Sequence, residues 1–124
     1  MGFMYCLDVG FGDATVIKTI EETYLIDCHD IGNHYEFLPK NKFIRGVFIT
    51  HQHKDHYSGL QLLKDENYSV QHLIYCPYDR RYGDNSVTIE EWDMFIKNTA
   101  QVSRNWGDLI RVRKHPIART HATV

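Results

Sequence analysis

The sequence predicts an α/β domain built on a mixed β-sheet, and two regions of the chain support this prediction. Three short predicted strands come first, of which 14–19 is rich in β-branched residues, and the short turns between them are typical of antiparallel strands. A buried strand, a polar loop, a helix and another strand then follow as a βαβ unit, whose two strands are parallel. The 124 residues fit one domain with a sizeable core, so we expect residues 1–124 to form a single domain.

The elements are predicted in chain order from hydrophobic periodicity and from turn residues. The predicted strands are 3–9, 14–19, 23–27, 43–50, 70–76 and 109–113, and the predicted helices are 58–65 and a segment after Thr88. The run Val47-Phe48-Ile49 indicates a strand that is buried on both faces. The last helix begins with a capping box, and its stripe of Trp92, Phe95 and Ile96 is interpreted as core packing. Residues 28–42 are predicted to form a loop with one helical turn.

Composition excludes several classes of protein. The formal charge of −2 provides no global attraction to nucleic acid, so any such contact has to be local. No apolar run is long enough for a membrane span, and no signal sequence is recognised, so no membrane contact and a cytoplasmic location are expected. Cys6, Cys28 and Cys76 are odd in number and widely spaced, which argues against a disulfide framework. Cys6 and Cys76 are predicted to be buried in strands.

Potential metal ligands are concentrated directly after the apolar strand that ends at Thr50. His51, His53, Asp55 and His56 fall within six consecutive residues, a combination that suits zinc, manganese or iron. In an extended segment His51 and His53 share a face, and the other two ligands could serve a second ion beside the first. Solvated loop histidines are the ordinary alternative, but the density of ligands favours metal binding.

The same residues resemble a known family signature. Thr50-His51-x-His53-x-Asp55-His56, completed by Gly59, resembles the signature of the metallo-β-lactamase fold superfamily. The segment 7–14, Leu-Asp-Val-Gly-Phe-Gly-Asp-Ala, resembles the opening of the ComEC-like branch, which includes a bacterial DNA-uptake protein. The segment 24–27, Tyr-Leu-Ile-Asp, is similar to that branch's Leu-Ile-Asp-Thr-Gly, although Cys28-His29 replaces its last two residues.

This resemblance implies a fold, a cofactor and an activity. The implied fold is the first half of a metallo-β-lactamase-like αββα sandwich, with a mixed sheet and flanking helices. His51, His53, Asp55 and His56 would bind one or two divalent ions, zinc first, with manganese or iron as alternatives. Asp55 would also orient the water that the metal ionises, as the catalytic residue. The implied activity is hydrolysis of a nucleic acid or another phosphodiester, and small esters or lactams are alternative substrates.

Further ligands that the family carries in its second half are not recognised in this chain. No Thr-Gly-Asp follows residue 56, Gly107-Asp108 fits that pattern only superficially, and His115 and His121 are weak candidates. We therefore expect a domain truncated at its C-terminus, whose open sheet face is covered by the missing half or by a second copy in a homodimer. A catalytically incomplete module with a binding or regulatory role is the alternative to a hydrolase.

Three loop residues upstream of the motif are also potential ligands by type. His29, Asp30 and His34 have a spacing that matches no metal motif, so we interpret them as ordinary solvated loop residues. Thr50 and Tyr57 flank the predicted ligands, and either could donate a hydrogen bond to an imidazole. For Tyr57, simple packing is an equal alternative.

Overall fold

A single mixed sheet organises the part of the chain that the computed structural model describes, which is residues 2–10, 13–50, 54–75 and 89–112. The strands are β1 (Phe3–Cys6), β2 (Ala14–Lys18), β3 (Thr23–Cys28), β4 (Phe43–Ile49), β5 (Ser69–Tyr75) and β6 (Asp108–Arg111). The helices are α1 (Lys54–Tyr57), α2 (Gly59–Asp65) and α3 (Ile89–Val102), with 3₁₀ turns at Ile31–Asn33 and Tyr35–Phe37. The α/β class predicted from the sequence is confirmed.

The strands lie in the sheet in the same order as in the sequence, but their directions change at one point. β1, β2 and β3 are antiparallel neighbours, whereas β3, β4, β5 and β6 run parallel to one another. The predicted antiparallel start and the predicted βαβ unit are therefore both present. The predicted boundaries are one to three residues too long at several strand ends, as at β1, which ends at Cys6.

One face of the sheet carries the core. Val16, Leu25, Val47 and Leu73 lie side by side across four strands, and each is at most 2% exposed. The helices bring fully buried apolar side chains to this core, which are Leu60, Leu63, Trp92 and Ile96. Burying side chains of this size contributes on the order of 1.5–3 kcal/mol each, which makes this layer the main source of stability. The predicted packing role of the Trp92 stripe is confirmed.

The opposite face of the sheet is only partly covered. Ile26, Phe48, Ile74 and Ile110 form a second row in register, in which Phe48 is 37% and Ile110 39% exposed. The prediction that β4 is buried on both faces is therefore wrong at Phe48, because the described helices pack against the other face. What covers this row remains a prediction. Within the described residues, no helix is both long and apolar enough to cross a membrane.

A polar network crosses the sheet near the amino-terminal ends of the parallel strands β3, β4 and β5. Arg45 donates to Oε1 of Glu22 through Nε and Nη2, at 3.0 and 2.6 Å, and it also donates to the side chain of Gln71. The hydroxyl of Tyr24 donates to the other oxygen of Glu22. These hydrogen bonds, first of all those from Arg45, hold the pKa of Glu22 below its ordinary value.

The cysteines differ from the sequence prediction. Cys6 is exposed because β1 is the edge strand of the sheet, so the prediction that it is buried is wrong. Cys28, at the end of β3, is fully buried. Cys76 lies outside the described residues, as does Thr88 of the predicted capping box.

Candidate metal centre

The candidate site lies where the sheet changes from antiparallel to parallel. Asp27 is near the carboxyl end of β3, and Thr50 follows the carboxyl end of the parallel neighbour β4. Asp13 directly precedes β2, which runs antiparallel to β3 and therefore begins at the same edge. His56 reaches this edge from α1. In open α/β sheets, the carboxyl ends of the strands are where ligands bind.

A buried carboxylate holds one nitrogen of His56. The Oδ2 atom of Asp27 lies 2.8 Å from Nδ1 of His56, and Asp27 is only 3% exposed. Thr50 donates its backbone N–H to Oδ1 of Asp27 at 2.8 Å and its hydroxyl to Oδ2 at 2.5 Å. Both oxygens of Asp27 therefore accept hydrogen bonds, and this carboxylate lies directly behind His56.

This contact determines which nitrogen of His56 can bind a metal. A buried carboxylate accepts hydrogen bonds, so the proton of a neutral His56 belongs on Nδ1 and the lone pair on Nε2. Histidines that bind metals commonly donate their other ring N–H to a carboxylate, which fixes the ring and raises its basicity as a ligand. The Asp27–His56 pair has this arrangement, and the donor chemistry therefore fits a divalent ion.

A second carboxylate approaches the same imidazole from the solvent side. Oδ2 of Asp13 lies 3.5 Å from Nδ1 of His56, and the Asp13 side chain is 68% exposed. Potential ligand atoms of Asp13, Asp27 and His56 all lie within 4.8 Å of one another. The turn that carries Asp13 is attached to β3, since the backbone N–H of His29 donates to the Asp13 carbonyl at 3.1 Å. Two carboxylates around one imidazole make this corner of the sheet favourable for a cation.

Of the four ligands predicted from the sequence, His56 has a side chain that the structure describes. His56 lies in the cluster, as expected for a ligand. His51 and His53 lie outside the described residues, and so does the side chain of Asp55, whose backbone is in α1. Their convergence with His56 on a common ion remains a prediction.

Asp13 and Asp27 are not identified as site residues from the sequence, although both lie in segments that carry the family resemblance. Their side chains are separated from His56 by many residues of chain, and only the order of strands brings them together. An aspartate at the end of an apolar strand, at the edge where the ligand motif also begins, is the signal that could have identified Asp27.

The flanking and loop residues have local roles. Thr50 supports Asp27, and Tyr57 is 5% exposed and packs against the rings of Trp92 and Phe95, each with 4.9 Å between centroids. His29 forms a 2.8 Å hydrogen bond with the Ser58 hydroxyl. His34 forms a 3.1 Å hydrogen bond with the backbone carbonyl of Asp8, and the Asp30 carboxylate accepts a 2.5 Å hydrogen bond from the Asn33 side-chain amide. None of these three loop residues joins the described cluster around His56.

The downstream candidates do not add a described ligand. Gly107-Asp108 lies at the start of β6, where Asp108 is in register with His72 and 3.3 Å from its Nδ1. β5 ends at Tyr75, three residues after His72. Asp108, which pairs with His72, therefore lies away from the edge of the sheet that carries the site. His115 and His121 lie outside the described residues.

The support behind the site depends on a close contact between β3 and α2. The Cys28 thiol accepts the backbone N–H groups of Gly59 and Leu60, while burial and the neighbouring Asp27 charge raise the pKa of this thiol. A Cβ atom on Gly59 would overlap the carbonyl oxygen of Cys28, which explains why the motif has glycine there. Around the end of β3, Asp27 (57°) and Asp30 (55°) have left-handed φ values and His29 does not, so the backbone does not require a glycine at His29.

Comparison with known proteins identifies the fold. No family model matches the sequence, and no curated protein matches it. Among solved structures, the chain is similar to the metallo-beta-lactamase fold protein YhfI from Bacillus subtilis, with a TM-score of 0.50 and 16% sequence identity. The similarity covers 85% of this chain and 39% of YhfI. The six-stranded mixed sheet with its helices is therefore a partial metallo-β-lactamase-like fold.

Proposed function

We propose that this chain is a metal-dependent hydrolase, or the part of one that carries its first metal ligands. The observation that supports this most strongly is the buried Asp27 carboxylate, which holds Nδ1 of His56, so that Nε2 is the nitrogen that would bind an ion. Asp27 accepts hydrogen bonds from Thr50 as well as from His56, and a carboxylate fixed in this way behind an imidazole is typical support for a metal-binding histidine.

The proposed ligand set is His51, His53, Asp55 and His56, with zinc as the first candidate ion and manganese or iron as alternatives. A divalent ion bound by these residues would make water acidic enough to serve as a nucleophile near neutral pH. Asp55 is the proposed catalytic residue, which would bind the ion and orient the hydroxide. Asp27 and Thr50 hold His56 in place from the protein side.

The proposed substrate is a phosphodiester, with nucleic acid as the first candidate. The support for this choice is the resemblance of residues 7–14 to the ComEC-like opening, together with the position of Asp13 from that segment beside His56. Small esters and lactams remain the alternative substrates. A binding module without catalysis is the alternative function, since the chain spans 39% of its structural neighbour.

Metal titration tests the proposal. Zinc and manganese should bind the purified protein, and the double variant His51→Ala, His53→Ala should lose that binding in calorimetry and in metal analysis after gel filtration. His34→Ala is a matched control, because this half-buried histidine hydrogen-bonds to a backbone carbonyl and lies outside the described cluster. Equal metal content in the wild type and the double variant would disprove the proposed ligand set.

A substrate panel separates the candidate activities. Bis-para-nitrophenyl phosphate, a thioester and a β-lactam each report on one bond type, and we expect turnover of the phosphodiester. Turnover of the lactam or thioester alone would reject the proposed substrate class but keep a hydrolase. Tight metal binding without turnover of any of the three would favour the non-catalytic module.

A further inference from the structure

Asp13 has a contact that the proposed ligand set does not explain. Its carboxylate is 68% exposed and could be fully solvated, yet Oδ2 lies 3.5 Å from Nδ1 of His56. Asp27 already accepts the proton of that nitrogen at 2.8 Å. Two carboxylates whose ligand atoms lie within 4.8 Å of one another repel, and a positive charge beside them would offset that repulsion.

The predicted ligands leave a positive charge for such carboxylates to balance. Three neutral imidazoles contribute no charge, and Asp55 contributes one negative charge. With one divalent ion the set would carry a single positive charge, which Asp27 can balance, whereas with two ions it would carry three, so positive charge would remain for Asp13. Asp13 faces the Nδ1 side of the ring, whereas the ion would bind through Nε2. An ion bound through Nε2 would lie on the other side of the ring from Asp13, which would then act through the imidazole.

We propose that Asp13 is a positioning residue that acts through His56, as a second outer carboxylate that raises the affinity of the site for a divalent ion. This inference rests on the proposed metal-dependent function and adds a residue from the turn before β2 to it. Two backbone hydrogen bonds hold this turn beside β3 and β1. The Asp13 carbonyl accepts the His29 N–H, and the Ala14 carbonyl accepts the Leu7 N–H at 2.9 Å.

The role of Asp13 differs from that of Asp27 in a way that experiment can separate. Asp27 is 3% exposed and is fixed by hydrogen bonds from Thr50, so its replacement would disturb packing as well as charge. Asp13 is mostly exposed and makes its described side-chain contact with His56 alone. Replacing Asp13 therefore removes charge at His56 with little effect on the fold.

The experiment compares manganese and zinc affinities of the wild type, Asp13→Asn, Asp13→Glu and Asp108→Asn by calorimetry. Partners of metal-ligating histidines typically change metal affinity by about 10- to 100-fold, and we expect about tenfold weaker binding in Asp13→Asn for at least one binding step. Asp13→Glu, which keeps the charge, should retain most of the affinity. Asp108→Asn is the matched control, since this 74% exposed aspartate also lies beside a histidine, 3.3 Å from His72.

Two further measurements make the outcome specific. Urea unfolding of each variant checks that the fold is intact, and the visible spectrum of the cobalt-loaded protein reports on the geometry at the ion. An Asp13→Asn affinity within about twofold of the wild type overturns the inference, and so does an equal loss in Asp13→Asn and Asp13→Glu. If the wild type binds no divalent ion, the proposed function itself fails, which is a different result from an unaffected Asp13→Asn.

Discussion

Replacing Gly59 by alanine tests how the candidate metal centre is supported from behind. A Cβ at this position would overlap the carbonyl oxygen of Cys28 and lie 2.7 Å from Cγ2 of Ile31. The carbonyl belongs to the backbone of β3, so it cannot rotate away as a side chain would. Relief of the overlap has to move the start of α2 away from β3, and with it the relation between His56 and Asp27.

The expected loss of stability follows from three contributions. Overpacking against a fixed neighbour costs about 1–3 kcal/mol. Stretching the hydrogen bonds from Gly59 and Leu60 to the Cys28 thiol adds about 1 kcal/mol. Alanine recovers up to about 1 kcal/mol through its higher helix propensity. We therefore expect Gly59→Ala to lower the free energy of unfolding by about 2 kcal/mol, which is a large share of the stability of a small domain.

Urea denaturation followed by far-ultraviolet circular dichroism measures this difference, with the same m-value expected for both proteins. Gly32→Ala is the matched control, because its Cβ would meet only the end of the Leu62 side chain, at 2.9 Å, which can move. We expect the control to change stability by less than about 1 kcal/mol. A Gly59→Ala protein as stable as the Gly32→Ala protein would refute the close contact between β3 and α2.

Three further predictions concern the site, the cysteines and the polar network. Asp27→Asn keeps the size of the side chain but removes the carboxylate behind His56, so metal affinity should fall about 10- to 100-fold in calorimetry; an unchanged affinity would contradict the proposed support. Iodoacetamide should modify exposed Cys6 in the native protein and spare Cys28, whose thiol is buried with a raised pKa. Peptide mass mapping checks this, and modification of Cys28 at the same rate as Cys6 would disprove its burial. The Arg45 guanidinium holds the pKa of Glu22 below 4.5, so this carboxylate contributes stability above pH 4.5 that is lost as the pH falls through its lower folded pKa. Glu22→Gln should therefore be less stable than the wild type at neutral pH and equal to it in strong acid, and a constant difference in urea denaturation across this range would contradict the linkage.

The strands and helices could be predicted from the sequence because their formation depends largely on residues that are close together in the chain. Short turns and apolar segments predicted the three antiparallel strands, the last of them to within one residue of its end at Cys28, and the spacing of Trp92 and Ile96 predicted the buried face of α3. Strand ends were less accurate, since Leu7 and Val9 have the composition of a strand but lie beyond the end of β1.

The errors concern properties that only tertiary structure determines. Phe48 and Ile49 are both large and apolar, but the helices cover one face of β4, so Ile49 is 3% and Phe48 37% exposed. Cys6 has the composition of a core residue, yet it lies on an edge strand. The hydrogen bond between Asp27 and His56 depends on the parallel pairing of β3 with β4, which no local pattern specifies.

The change of strand direction at β3 has a consequence for how this protein would assemble. The first three strands pair through short turns, so they close small loops and can form early, whereas β4 and β5 pair across an intervening helix and form more slowly. Asp13 and Asp27 come from the early unit, and Thr50 and His56 come from the late one. A cation held at their junction would bind only after the two units have docked, and it would draw the folding equilibrium toward the complete sheet in proportion to its concentration.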